Sequence, residues 1–311
     1  MFDRRLYPES LLEYCKRRTK NSGTVNQTVP KFIFLCGEKP SAESKSIGRK
    51  TNREEMIEYL PRLAPNVVVL LAETLWAGLK LNLLTFEHFM AQISDLVLMF
   101  LEGPGTIAEL GAFASVDNLI PKLLVFNDKR YRHVDSFITS GPLAKISENS
   151  SEGVIYGNLD TVLESQTLYN RLVQLNNDRK SIKPNKPPND VDFVNLIYEL
   201  LDLIGLIGPV RLKDLLSIYK FLRGFEEFFK LILPGTNTSV TARYAVDFLR
   251  LSSLVREQGG YLYFSSPTIK KNICLLEMTS YEFQCLRSKF IARKMKYLGL
   301  SQFDSGERKL A

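Results

Sequence analysis

The sequence predicts an α/β protein, an open parallel sheet covered by helices on both faces, followed by a smaller and mostly helical domain. Three observations predict it. Short apolar runs recur between helical stretches at Phe32–Cys36, Val67–Leu71, Leu96–Phe100, Leu123–Phe126 and Val154–Tyr156, and strands alternating with helices at this spacing call for parallel pairing. The run Leu96–Phe100 is apolar at every position, as a strand buried on both faces must be. A polar, basic, proline-rich stretch, NNDRKSIKPNKPPND, separates this region from one whose apolar residues repeat at helical spacing.

Taken in order, residues 1–30 read as a helical extension ending in the polar connection NSGTVNQTVP. The sheet domain is expected over 31–175. Its first strand ends at Gly37, a polar loop leads to a helix over Asn52–Leu63, and Pro65 precedes the second strand. A helix over Leu84–Ile93 feeds the third strand, and Leu159–Gln174 reads as the last helix of this domain. Residues 176–190 are expected to be a linker and 191–311 the second domain. There, Phe193–Ile204, Leu212–Leu222, the aromatic run Phe225–Leu233 and Thr241–Gln258 read as helices, and Tyr261–Ser265 alternates as a strand. Helices followed by a short ribbon suggest a winged helix, with Arg243, Arg250 and Arg256 on the recognition helix and Lys270 and Lys271 in the ribbon beyond it. The equally weighted alternative is a helical dimerisation or adaptor domain. Arg287, Lys289, Arg293, Lys294 and Lys296 form a second basic stripe that could meet phosphates.

Composition narrows the function. A chain of 311 residues with 45% apolar and 24% charged residues is an ordinary globular protein with room for two domains. No apolar run approaches the roughly 18 residues needed to cross a bilayer, and the N-terminal segment lacks a signal-peptide core. The expectation is a cytoplasmic protein. Four cysteines without a CxxC pair and only two histidines predict neither a metal site nor disulfides. A net charge of +7 favours a polyanionic partner. No GxGxxG follows the first strand, so a bound dinucleotide cofactor is not expected.

The stretch FLEGPGTIAELGAFAS carries the chemistry. It places a turn of Gly103, Pro104 and Gly105 at the carboxyl end of a buried strand, followed by a helix start. Thr106 reads as N-cap with Glu109 completing a capping box, which is the commonest role of such a pair. The position argues for more, because ligands of open α/β sheets sit beyond the carboxyl ends of the strands. Free N–H groups at Gly105 and Thr106 could meet a polar or anionic ligand. Gly111 would let the helix lie close to its neighbours. Glu87 and Asp95 lie just upstream, and clustered carboxylates separate into charged and neutral roles.

Several stretches, FIFLCG at 32–37, AETLWAG at 72–78, LLTFEHFMAQISD at 83–95, GPGTIAELGAF at 103–113 and SFITSGPL at 136–143, resemble the nucleoside 2-deoxyribosyltransferase-like fold, a Rossmann-like or flavodoxin-like sheet. More closely, the chain resembles the effector proteins of retron antiviral defence systems, which join such a domain to a winged-helix-like one. The resemblance implies an N-glycosidase toxin that attacks NAD or a related nucleotide as substrate, without a cofactor. Glu109 would be the nucleophile and Glu87 the acid meeting the departing base. Cys36, Gly37, Glu73, Asp95, Gly103, Pro104, Gly105 and Thr106 would line the substrate. The implied partner is a reverse transcriptase carrying a branched RNA–DNA molecule (msDNA), which restrains the toxin in a complex that includes a homo-oligomer or filament. The Asp that the transferases carry shortly before the nucleophile is replaced here by Glu102 and Gly103, which puts deoxyribosyl transfer in doubt. Alternatives are a deoxyribosyltransferase, a phosphoribohydrolase suggested by the likeness of GPGTIAE to PGGxGTxxE, and a non-catalytic sensor that binds nucleotide and DNA.

Overall fold

The computed structural model describes residues 2–19, 23–39, 50–76, 81–186, 191–225, 230–265, 273 and 275–299. The chain forms two compact units. A sheet unit comprises Thr28–Arg179 with Pro234–Asn237, and a helical unit comprises Met1–Gln27, Lys180–Leu233 and Thr238–Ala311.

The sheet unit is a five-stranded parallel sheet. Its strands are β2 (Lys31–Cys36), β3 (Val67–Leu70), β4 (Leu96–Phe100), β5 (Leu123–Asp128) and β6 (Val154–Gly157), in the order β3-β2-β4-β5-β6. After β2 the chain steps to one side to build β3, then crosses to the other side for β4. That reversal opens a crevice at the carboxyl ends of β2 and β4, where open sheets of this order bind ligands. β2 and β4 are buried at every position.

The connecting helices are α2 (Asn52–Leu63), the short α3 (Ala72–Trp76), α4 (Leu83–Ile93), α5 (Pro104–Ala114), α6 (Ala144–Asn149) and α7 (Gln166–Asn177). Thr51 caps α2 through a full capping box with Glu54, and Asn82 caps α4 by accepting from the Thr85 N–H. One face of the sheet packs Ile33, Leu35, Leu98, Phe100 and Phe126 against Met56 and Leu60 of α2 and Leu168 and Leu172 of α7.

Local expectations fail where a competing signal wins. Helix α5 begins one turn earlier than the Thr106 cap implies. Gly103 is the N-cap, Pro104 occupies the first turn, and no side chain caps the end. Proline is pre-set for that position because it lacks the N–H that would go unpaired. Thr106 is therefore buried inside the helix, which leaves Glu109 free of any capping duty. Gly103, Gly105 and Gly111 face open space where a Cβ would meet nothing within 4 Å, so none permits a close approach. Leu159–Glu164 is a 3-10 turn, and α7 begins only at Gln166.

The helical unit begins at the N-terminus. Helix α1 (Glu9–Thr19) packs on α9 (Leu212–Arg223), and the Thr19 hydroxyl donates to the Leu222 carbonyl. Strand β1 (Val25–Gln27) pairs antiparallel with β7 (Lys180–Ile182). The stretch expected to be a free linker thus carries a strand, because its Lys-Ser-Ile segment finds a partner strand some 150 residues back in sequence; residues 187–190 of it lie outside the described set. Helix α8 (Phe193–Ile207), α9 and α10 (Ala242–Leu251) are followed by a hairpin of β10 (Val255–Gln258) and β11 (Tyr261–Phe264). Val210, between α8 and α9, bridges antiparallel to Leu262. The helix expected over Thr241–Gln258 stops at Leu251, where Ser253 takes a positive φ, so Arg256 lies on a strand. Of the helix expected over Phe225–Leu233, residues 226–229 lie outside the described residues, and its end is a strand, β8 (Lys230–Ile232), paired with β9 (Ser239–Thr241).

Helix α11 (Ser280–Leu298) buries Phe283, Leu286, Phe290 and Lys294 along one face. The expected basic stripe is therefore split. Arg287 donates to the Gly205 carbonyl, Lys294 to the Pro209 carbonyl at 2.6 Å, and Lys289 and Lys296 face solvent. A buried ion pair of Glu199 and Arg223, with the Tyr219 hydroxyl and Asn185 also on the carboxylate, ties α8 to α9.

Phe100 is fully buried against Phe126, so Phe100→Ala should destabilise the sheet unit by about 3–5 kcal/mol, read as a lowered midpoint for that unit in chemical unfolding.

Candidate active site

A cavity of about 490 Å³ opens at the carboxyl end of β2, walled by residues of α2, α3, α4 and α5. Each carboxylate in it arrives from a different element. Glu73 stands in the first turn of α3, Glu87 on α4 and Glu109 in the second turn of α5, while Cys36 and Gly37 end β2. Gly37 lies where a Cβ would come to 3.4 Å from both Arg53 and Phe100, an ordinary van der Waals contact. Trp76 and Leu83 form an apolar flank, and the indole N–H is occupied by the Leu81 carbonyl at 2.8 Å.

The electrostatics separate the three carboxyls. Burial raises Glu109 above the usual carboxylate range, against the lowering pull of the Cys36 thiol hydrogen bond and the nearby Arg53 charge. One of its oxygens, Oε2, is buried and accepts no hydrogen bond, which costs free energy unless something occupies the space before it. Burial, and then the charge of Glu109, push Glu87 up to about 7. Glu73 differs: burial raises it, but the Arg53 hydrogen bond, a backbone hydrogen bond and the charges of Arg53 and Lys39 together outweigh burial and hold it below its ordinary value. Cys36, wholly buried and beside Glu109, is pushed well above the thiol range and stays protonated.

The cavity thus brings together Cys36, Gly37, Glu73, Glu87 and Glu109 from the predicted set, and leaves others outside. Asp95 accepts the Phe32 N–H at 2.9 Å through its side chain, cross-linking two strands, and is not in the wall. Gly103, Pro104, Gly105 and Thr106 do not line it either, because α5 starts a turn earlier and presents Glu109 rather than its N-terminus. Arg53 and Lys39 are the charged wall residues that sequence reasoning missed. Arg53 stands three and seven residues before the buried Met56 and Leu60, and that shared helix face was the available signal. Among the described residues no group of three or more His, Cys, Asp and Glu side chains is arranged to hold a metal ion, and no helix is long and apolar enough to cross a membrane.

In the helical unit, the arginines of α10 are engaged. Arg243 lies 3.7 Å from Asp247, and Arg250 lies 3.2 Å from Asp247 and 2.9 Å from Glu257. Arg256 stacks over the Tyr263 ring at 5.6 Å. Lys270 and Lys271 lie outside the described residues.

Residues 49–249 match the STM3845 retron effector protein family. The chain belongs to that family. This retron effector is 27% identical over 241 residues to the "Retron Ec73 putative ribosyltransferase/DNA-binding protein" of Escherichia coli, covering 68% of the chain and 72% of the relative. It is 26% identical over 220 residues to the "Retron Ec86 putative ribosyltransferase/DNA-binding protein" of the same organism, covering 65% and 68%. The match to the family spans Arg53, Glu73, Glu87 and Glu109 but begins beyond Cys36.

Glu87 in the retron effector holds its proton to higher pH when folded than when unfolded. Its contribution to stability is present below about 4.5 and is lost as pH rises through about 7. Glu87→Gln keeps the protonated shape at every pH. Calorimetry should find its melting temperature equal to wild type near pH 4.5 and higher than wild type near pH 8.

Proposed function

We propose that the sheet unit is an N-glycosidase acting on NAD or a related nucleotide, with Glu109 as nucleophile. The observation that carries this reading is the Glu109 carboxylate oxygen, buried and without a hydrogen-bond partner at the wall of an acidic cavity. In the reaction the carboxylate bonds to C1′ as the C1′–N bond breaks, and the base leaves with the bonding electron pair. Nicotinamide leaves as a neutral molecule, since the pyridinium nitrogen already bears the charge. Water then attacks C1′, gives a proton to ionised Glu87, and releases Glu109 as a carboxylate. The carboxylates also favour a cationic ring stacked on Trp76 over a neutral one.

The near-neutral titration of Glu87 favours a second reading for neutral bases. A protonated Glu87 could donate to a departing purine, as in a phosphoribohydrolase or deoxyribosyltransferase. Mass identification of the released base separates these. Glu109→Gln should lower base release by at least about 10²-fold with an unchanged melting profile; release at the wild-type rate would overturn the assignment, and binding without turnover by wild type would favour a non-catalytic sensor.

For the helical unit we infer a winged-helix nucleic-acid module that meets a reverse transcriptase–msDNA complex. The hairpin supports the contact better than the helix. Val255 and Leu262 are buried, so by strand alternation Arg256, Tyr263, Gln258 and Tyr261 share the opposite face. Arg211 lies over the Tyr261 ring at 5.1 Å. Rings paired with guanidinium groups suit unpaired bases and phosphates. Arg256→Ala should flatten the salt dependence of binding to single-stranded DNA by about 0.7 in log–log slope, whereas Arg243→Ala should leave it unchanged.

A further inference from the structure

A second cavity, about 840 Å³, lies along the same carboxyl edge, beyond the ends of β4, β5 and β6. It adjoins the Glu109 cavity across two short stretches of chain. Gly37 and Lys39 line one cavity while Glu38 lines the other, and Arg53 lines one while Lys50 and Asn52 line the other.

The two cavities differ in chemistry. The Glu109 cavity has an aromatic and apolar flank and a size suited to a base with its ribose. The second is polar. Glu102, which accepts from the Asn52 side-chain amide, and Asp160 bring carboxylates to its wall. Tyr131, half exposed, offers a ring face. Asn158 accepts the Asp160 N–H through its side-chain oxygen, which leaves its amide nitrogen to donate to a heterocycle. Lys129 faces solvent at the wall, and Lys50 holds only an exposed pair with Glu58, a type of contact that exchanges at little cost. Arg130, by contrast, is spent on Asp128, which it grips through two nitrogens at 2.9 and 2.7 Å. Each cavity carries a lysine in its wall, Lys39 in one and Lys50 in the other, and an ammonium group suits the phosphates of a ligand that spans both.

We propose that this second cavity binds the distal nucleoside monophosphate of a dinucleotide whose reacting half lies against Glu109. The assignment rests on the glycosidase reading for the identity of the reacting half, but the second cavity itself is testable without turnover.

Calorimetric titration of the wild-type chain and of Glu109→Gln with NAD, nicotinamide mononucleotide and AMP tests it. NAD should bind more tightly than either half, and AMP should compete with NAD. The exposed substitutions Lys129→Glu and Asn158→Ala should weaken NAD and AMP about tenfold or more while leaving the mononucleotide unchanged. In turnover the same variants should raise KM for NAD and spare kcat. Absence of AMP binding, or equal effects of the variants on NAD and on the mononucleotide, would overturn the proposal. If wild type releases no base yet AMP and NAD bind with the Lys129 dependence, the glycosidase reading fails and the second site stands.

Discussion

Burying a carboxylate beside a thiol at the reversal of a parallel sheet is the constraint on which the rest of this protein depends. Desolvation makes an ionised Glu109 costly, and the fold returns part of that cost through one weak donor, Cys36, and two cations, Arg53 and, more weakly, Lys39. Cys36 and Arg53 lie within reach because β2 ends where α2 starts its first turn over Gly37. A side chain larger than a methyl group at Gly37 would press on Arg53 and Phe100 together, linking the packing of the core to the charge balance of the cavity. Stability and chemistry here share the same atoms.

The order of the chain explains how a sheet and a helical unit coexist in one polypeptide. The N-terminal helix joins the C-terminal unit, and β1 and β7 pair as the chain leaves for the sheet and returns from it. Apart from Pro234–Asn237, the sheet unit is thereby inserted in sequence within the helical one, with a two-stranded clasp where the chain leaves and returns. Such a clasp brings the two ends of the insertion together at low entropic cost, since loop-closure cost grows only slowly with length.

Much of this was legible from residues alone. Five apolar runs gave the five parallel strands within a residue or two, because a strand covered on both faces has no freedom to be polar. Glu87 and Glu109 could be paired because they flank one strand, Glu87 on the segment that feeds it and Glu109 beyond its end. What could not be read were features set by distant partners. The strand within 176–190 exists only because Val25–Gln27 meets it, and a polar segment carries no sign of that. The cap at Thr106 was misread because a threonine followed by glutamate satisfies one local rule while Pro104 satisfies a stronger one. Arg53 was missed because a helix surface rich in charge hides the single cation that turns inward. Arg256 was assigned to a helix because its apolar neighbours fit either period over so short a span.

The charge pattern of the cavity carries the argument a step further. Arg53 is committed to Glu73, which keeps Glu73 ionised and removes it from proton exchange. Glu87 and Glu109 then face each other with only Lys39 and the second-hand field of Arg53 to offset them. Two carboxyls so placed do not both ionise easily, and the one farther from the thiol, Glu87, takes the proton near neutrality. The pair is thus divided unequally, with Glu87 the group poised to give or take a proton near neutrality, without a histidine in the cavity wall. On the proposed reading, a base that leaves without protonation needs only Glu109, whereas the water that follows needs a proton acceptor, which ionised Glu87 supplies.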